Sequence, residues 1–176
     1  MSASPSVLVV GGGPAGSAAA FWLARDGHDV TLVEKKEYPR EKTCGDGLTP
    51  RAILQLQDMG FDFDVPEFHR VSGLRSYAGP ELKLEMQWPE HSRFPNWGGV
   101  IRRKDLDAQV AMLAEKEGVR IRQRTSAKPV ISEGRVASVE LTHDGETDVV
   151  EPDYVVVADG SLSRFGRDLG TSRRRD

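Results

Sequence analysis

The sequence predicts an α/β fold: a parallel sheet with helices, a β-meander, and an antiparallel piece inserted between its strands. Three observations carry that expectation. Ser6 to Val10 and Asp153 to Ala158 are unbroken apolar runs of the kind buried in a parallel sheet. A Gly-rich turn and an Ala-rich helix, Pro14 to Arg25, join the first run to a second strand, Asp29 to Glu34; this is a βαβ unit with a right-handed crossover. Later alternating runs are punctuated by Glu133-Gly134 and Asp144-Gly145, which suit tight hairpin turns.

The elements follow in order. Gly27 closes the first helix. Lys35 to Gly47 is polar and reads as loop. Thr49 as N-cap and Pro50 at the first helical position open a second helix, with Ile53, Leu54 and Leu56 as its apolar face and Gly60 at its end. Val71 to Tyr77 and Glu81 to Gln87 alternate about Ala78-Gly79-Pro80 and form a hairpin outside the parallel sheet. Trp88 to Asn96 is irregular and aromatic. Lys104 to Lys116 is an amphipathic helix with Leu106, Val110 and Leu113 at helical spacing, Asp105 and Asp107 in its first turn, and Gly118 as its stop. Val119 to Arg122 is a short strand, and Lys128 to Ser132, Arg135 to Leu141 and Glu146 to Val150 are the meander.

Composition excludes several classes. Of the 176 residues 38% are apolar, with 18 Gly besides, which is an ordinary globular balance and not that of a disordered chain. A net charge of −3 provides no basic field for nucleic acid. The single cysteine, Cys44, excludes a disulfide-built secreted scaffold. No apolar run approaches the roughly 18 residues that span a bilayer. No positive region precedes Val7, and Gly11-Gly12-Gly13-Pro14 interrupts the apolar start, so a signal peptide is not expected and the cytoplasm is the expected compartment. The four histidines (28, 69, 91 and 143) have no metal-ligand spacing, so no metal is expected.

Gly11-Gly12-Gly13-Pro14-Ala15-Gly16 is a G-x-G-x-x-G run. Alone it is a weak signal. Here it follows a strand, opens a helix, and has Glu34 at the end of the next strand, the context of a dinucleotide fingerprint. Gly11 permits the tight turn, Gly13 lets the backbone approach a pyrophosphate, and Gly16 lets helix and strand pack closely. The helix N-terminus offers free N–H groups and partial positive charge to phosphates. Glu34 suits a ribose diol and disfavours a 2′-phosphate, so FAD or NAD is preferred to NADP. The bland alternative is a structural Gly-rich turn.

Pro39-Arg40-Glu41-Lys42-Thr43-Cys44-Gly45-Asp46-Gly47 resembles the PR-x-K-x-CG-D-G segment of the geranylgeranyl reductase family. These are FAD-dependent enzymes that saturate isoprenoid double bonds, within the para-hydroxybenzoate hydroxylase-like flavoprotein group. Trp88-Pro89 with Phe94-Pro95 is similar to the aromatic segment of actinobacterial members. Arg103-x-x-Leu106-Asp107 resembles the group's R-x-x-LD helix start, and Ala158-Asp159-Gly160 through Ser163 and Arg167 its DG motif. Within the family the likeness runs furthest to members acting on the menaquinone side chain.

The resemblance implies a Rossmann-like FAD-binding domain. Residues 1–70 would hold the FAD/ADP-binding βαβ unit and flavin loop, 71–100 a partial substrate-domain insertion, 101–170 the return to the FAD-binding domain, and 171–176 a basic tail. Gly11, Gly13, Pro14, Ala15 and Gly16 would hold the pyrophosphate, and Glu34 with Lys35 the adenosine ribose. Arg40 and Arg103 would lie along the ribityl-pyrophosphate stretch. Cys44, Gly45 and Asp46 would run near the isoalloxazine ring, and Asp159 and Gly160 would brace the cradle. The implied partners are a prenyl-lipid or prenylquinone substrate and NAD(P)H or another reductant as transient electron donor. A lipid substrate implies transient contact with the inner face of the membrane.

Cys44 and Asp46 are the candidate catalytic residues. With no second cysteine there is no dithiol relay, so a packing or substrate-side role is preferred for Cys44. Asp46 is placed to supply a proton, or to hold its loop by turn bonds. A cation at Arg103 opposes the helix dipole, which an anionic partner would explain. Asp159 is read as a ligand residue, with turn capping as the alternative. Trp88, Phe94 and Trp97 are either core or the wall of a prenyl tunnel. Arg173 to Arg175 reads as a solvated tail.

Family members run to about double this length. The later GD motif and most substrate-domain strands are missing, and the hairpin is left as an unfinished sheet with an open edge. The expectation is therefore a truncated N-terminal piece whose activity belongs to a longer chain. The alternatives are an aromatic-ring monooxygenase of the same flavoprotein group and a non-catalytic dinucleotide-binding fragment.

Overall fold

The computed structural model describes residues 4–90 and 93–171. His91 and the Arg173–Arg175 tail lie outside the described residues. In chain order the elements are β1 (Ser6–Val10), α1 (Pro14–Arg25), β2 (Asp29–Val33), β3 (Gly47–Leu48), α2 (Pro50–Asp58), β4 (His69–Val71), β5 (Gly73–Ala78), β6 (Glu81–Gln87) and β7 (Gly98–Val100). They continue with α3 (Arg103–Lys116), β8 (Arg120–Arg122), β9 (Thr125–Ser132), β10 (Arg135–His143), β11 (Glu146–Val150), β12 (Tyr154–Val157) and α4 (Arg164–Asp168). The chain divides into two compact units, residues 1–40 with 107–176, and residues 41–106.

The first unit is built on a parallel sheet of order β12-β1-β2-β8. β1 is central, and Val7, Leu8, Val9 and Val10 are all buried. Leu8 and Val10 join Val33, Val139, Leu141 and Phe165 in one apolar cluster, so the meander and α4 cover that face. Alternation puts Val7 and Val9 on the opposite face. α1 packs on β1, β2 and β12 and buries Ala20 and Phe21. The meander pairs β11-β10-β9 through two-residue turns. Glu133, Gly134, Asp144 and Gly145 all have positive φ, the backbone of turns whose twist matches hairpin strands.

β12 departs from expectation. The unbroken apolar run predicts a strand buried on both faces, yet β12 is an edge strand among the described residues, with Tyr154 63% and Val157 38% exposed. An apolar run reports preference for a sheet; the number of neighbours is decided elsewhere in the chain. A polar clip fixes the strand's start. Ser6 donates from its N–H (2.7 Å) and its hydroxyl (2.8 Å) to Asp153 Oδ2, and accepts from the Asp153 N–H (3.0 Å). Those bonds hold the Asp153 carboxyl below its ordinary 3.8. A depressed folded value gives a contribution present above the ordinary carboxylate range and lost as pH falls through the folded value. Ser6→Ala removes the hydroxyl and keeps the N–H, so an NMR titration should find the Asp153 carboxyl moved part of the way back upward; an unmoved titration would show that the hydroxyl contributes nothing to the clip.

The second unit differs from the expected single hairpin. Val71, the expected first residue of that hairpin, instead ends β4, and β4 pairs with β7, which also pairs with β3, in a small antiparallel sheet of order β3-β7-β4. Gly98 and Gly99 let this sheet form under close cover. A Cβ on Gly99 would lie 2.2 Å from the Phe68 ring, and one on Gly98 2.5 Å from the Leu48 carbonyl oxygen. β5 and β6 form the hairpin proper and pair with no other strand among the described residues. Leu74, Leu82, Leu84 and Met86 are exposed on it. Thr49 takes the N-cap position of α2 with extended backbone, but its side chain makes no capping bond. Trp97 stands edge-on to Phe63 at 5.3 Å, with Arg70 over its ring at 4.3 Å, the packing of a small aromatic core.

Candidate functional site

The β1–α1 loop shows three different uses of glycine. Gly11 has φ +102°, and a Cβ there would lie 2.5 Å from the Ala158 carbonyl oxygen, so the turn and the approach of β12 both require glycine. A Cβ on Gly16 would lie 1.8 Å from the Gly11 carbonyl oxygen, so α1 sits directly against the end of β1. Gly13 is different. Its φ of −76° is ordinary, and the nearest atom to an added Cβ is Arg40 Nη2 at 3.8 Å. Among the described residues no packing requires glycine there: an added Cβ would be in ordinary contact with the Arg40 guanidinium and would clash with nothing.

Behind the loop lies a buried polar buttress. Glu34, 5% exposed, follows β2. Its Oε2 accepts from the Gly12 N–H and from Arg40 Nη2, both at 3.0 Å, and its Oε1 accepts from the Lys36 N–H at 3.0 Å. A carboxylate offers about four acceptor positions, so one remains. The Tyr38 hydroxyl donates to the Gly12 carbonyl. Burial pushes the Tyr38 phenol up to about 12, which keeps it a donor. Both polar groups of Gly12 are thus held from behind. Arg40 Nη1 lies 3.1 Å from Asp107 Oδ2. Asp107 is completely buried, and the Arg40 side chain is 9% exposed. One guanidinium therefore bridges two buried carboxylates.

A cleft of about 1310 Å³ opens beside the loop, lined among others by Gly11, Glu34, Lys35, Ser126, Asp159 and Gly160. Asp159 uses its two oxygens differently. Oδ2 accepts from the N–H groups of Arg164 (3.1 Å) and Phe165 (3.4 Å), the first turn of α4. Oδ1 is buried and has no hydrogen-bond partner among the described residues. A buried carboxylate oxygen without a donor is costly, so this atom marks a place where a ligand would be welcome.

The expected site residues thus fall into two groups. Gly11, Gly13, Pro14, Ala15, Gly16, Glu34, Lys35, Arg40, Asp159 and Gly160 belong to the first unit. Cys44, Gly45, Asp46 and Arg103 belong to the second. Cys44 is an exposed free thiol. Asp46 accepts the Arg103 N–H at Oδ1 (3.1 Å) and the Ile101 N–H at its carbonyl (3.1 Å), which ties the loop to the start of α3. Tyr38 and the Arg40–Asp107 pair are additions that spacing did not reveal. Helical position places Asp107 in the first turn of α3, but only the fold brings it to Arg40.

A parallel βαβ unit, a G-x-G-x-x-G loop between its first strand and helix and a buried acid after β2 define a dinucleotide-binding protein of Rossmann type. The chain belongs to the FAD binding domain family, whose model matches residues 4–176. It is 40% identical over 175 residues to a menaquinone reductase of Mycobacterium tuberculosis, covering 98% of this chain and 42% of that protein. It is 36% identical over 166 residues to a digeranylgeranylglycerophospholipid reductase of Thermoplasma acidophilum, covering 93% of this chain and 41% of that one. Among solved structures it resembles a geranylgeranyl bacteriochlorophyll reductase-like protein of T. acidophilum, with TM-score 0.78, 33% identity, 96% of this chain covered and 42% of the other. The chain thus spans less than half the length of these relatives.

The first unit fits FAD. The unstrained, unclashing glycine at Gly13, the Asp159 Oδ1 with no partner among the described residues and the cleft lined by Gly11, Glu34 and Asp159 are features that a dinucleotide would complete. Among the described residues no helix is long and apolar enough to cross a membrane.

Proposed function

We infer that the chain holds FAD for a reductase that saturates isoprenoid double bonds of a prenylquinone or prenyl lipid. The observation that carries the cofactor part is Gly13, a glycine in ordinary conformation where an added Cβ would meet nothing closer than Arg40 Nη2 at 3.8 Å. The relatives support the substrate part, since menaquinone and digeranylgeranyl lipid reductases match nearly the whole chain. In this reading the N–H groups at the start of α1 take the pyrophosphate. The remaining acceptor position of Glu34 takes a ribose hydroxyl, with Lys35 beside it. Asp159 Oδ1 accepts from the cofactor while Oδ2 caps α4. Arg103 and the Cys44-Gly45-Asp46 loop serve the flavin side: Cys44 as a small substrate-side residue, Asp46 as the anchor of the loop and the candidate proton donor. Bound FAD supplies hydride chemistry, recharged by NAD(P)H or another reductant. A lipid substrate would bring the whole protein to the inner membrane surface.

The cofactor site is tested by Gly13→Val. The variant should fold, losing about 1 kcal/mol at the helix start, while FAD affinity falls at least about tenfold as the side chain fills the approach to the loop. Unchanged FAD retention would refute the assignment. The reaction is tested in the whole protein, with flavin reduced anaerobically and menaquinone added. Mass spectrometry should find a product that has gained one H₂ in its side chain. Oxygen incorporation into a phenol would favour a monooxygenase instead.

A further inference from the structure

We propose that Tyr38 decides which side of the Gly12–Gly13 peptide the cofactor meets: its hydroxyl holds the Gly12 carbonyl back, so that the Gly13 N–H faces the pyrophosphate. The proposal rests on the cofactor reading above. Tyr38 acts through Gly12, so it is a positioning residue.

Three successive glycines make a loop that is easy to mis-set. Gly11, Gly12 and Gly13 carry no Cβ, so sterics place few limits on how the peptides between them turn. Hydrogen bonds hold them instead. The Gly12 N–H donates to Glu34 Oε2 at 3.0 Å, which fixes the Gly11–Gly12 peptide. The Gly13 carbonyl accepts the Ser17 N–H at 2.9 Å, which fixes the peptide entering α1. The peptide between these two is held at the Gly12 carbonyl, by the Tyr38 hydroxyl and more distantly by Ser17 Oγ at 3.4 Å. A Cβ on Gly12 would lie 1.9 Å from the phenol oxygen. The fingerprint leaves position 12 open to any residue; here the approach of the hydroxyl requires glycine. The Gly12–Gly13 peptide is trans, and a trans peptide points its C=O and N–H in opposite directions. With the carbonyl on Tyr38, the Gly13 N–H points away from the phenol. Gly13 is the N-cap residue of α1, where an N–H has no intrahelical acceptor, and none accepts it among the described residues. A donor in that place suits an anion. Were the peptide turned over, a carbonyl oxygen would stand there and repel the same phosphate. Burial raises the phenol to about 12, so the hydroxyl keeps its proton and goes on donating at neutral pH.

The test compares two probes, ADP and adenosine, by NMR titration of the isotope-labelled full chain, and reads the ratio of their Kd values. Contacts to adenine and ribose cancel in that ratio, which leaves those to the pyrophosphate. The unaltered chain should prefer ADP. Tyr38→Phe deletes the hydroxyl and keeps the ring that faces the Arg40 guanidinium at 5.6 Å. It should reduce the preference about tenfold, the size expected for one hydrogen bond to a charged group. Tyr38→Leu removes the same hydroxyl without a ring and is read in parallel, so a folding failure in one variant leaves the other. A merely structural tyrosine predicts that both affinities fall together and the ratio stays fixed. A ratio within about twofold of the unaltered chain's in the folded variants overturns the proposal. The Gly13 amide gives a second readout that needs no variant. In the unaltered chain its resonance should move on saturation with ADP and stay near its free position with adenosine. ADP bound with the Gly13 amide unmoved overturns the proposal even if neither variant folds. An unaltered chain that binds neither probe, or binds both equally, overturns the cofactor reading itself, and the proposal with it.

Discussion

Gly16→Ala should destabilise the first unit by about 3 kcal/mol or more, the upper end of what an overpacked site costs. The added Cβ would meet the Gly11 carbonyl oxygen at 1.8 Å, its carbon at 3.1 Å and the Ala158 side chain at 3.2 Å. The closest of these are backbone atoms at the end of the central strand. β1 is held by β12 on one side and β2 on the other, so the strand cannot yield. Only α1 can move, and moving it uncovers Ala20 and Phe21, both buried on the sheet. Urea denaturation read by circular dichroism measures the loss; a midpoint like that of the unaltered chain would disprove the close packing. The contrast with Gly13 gives the prediction its value. Two glycines of one motif, three positions apart, should fail differently: one variant unfolds, the other folds and does not bind.

That contrast also shows how far the sequence was legible. β1, α1 and β2 were readable because a central parallel strand is an unbroken apolar run, while Pro14 and Gly27 mark the helix ends. The meander was readable because Glu133-Gly134 and Asp144-Gly145 are turns that few other residues form. β7 was not. Gly98-Gly99-Val100 has no alternation and little strand preference; it is a strand because Phe68 needs room over Gly99 and because β3 and β4 supply its bonds. The hairpin's start was misplaced for a related reason: Val71 continues the alternation of β5 but pairs with Gly98 of β7 instead. In the site, the glycine spacing and Glu34 were visible. The unequal uses of those glycines were not, since they depend on which atoms the fold brings near each one. Asp107 shows the same limit of a linear pattern. On its helix it reads as an acid suited to the dipole, and its partner is an arginine far along the chain.

Arg40→Met should cost about 3 kcal/mol of stability, the low end for breaking a buried ion pair by removing one partner. The guanidinium is the group that Glu34 and Asp107 share, and both acids are buried. Without it Glu34 keeps only the N–H groups of Gly12 and Lys36 among its hydrogen-bond donors, and the two carboxylates face each other across an apolar side chain. Arg40→Lys should lose less, because it keeps the charge, but should not reach the stability of the unaltered chain. An ammonium is a point charge, whereas the guanidinium presents Nη1 and Nη2 in fixed directions to two acids at once. Adding Asp107→Asn to Arg40→Met should recover part of the loss, since it takes one of two buried negative charges out of the site and preserves shape. Urea midpoints of the three variants distinguish two origins of the effect. If Arg40→Met and Arg40→Lys are equally destabilised and Asp107→Asn recovers nothing, the arginine acts through the packing of its stem. The ordered series Arg40→Met, double variant, Arg40→Lys, from least stable to most, would instead place the origin in the balance of one cation between two buried anions. The glycine loop is anchored to that balance through Gly12, so a loss of it should reach the ligand as well as the fold.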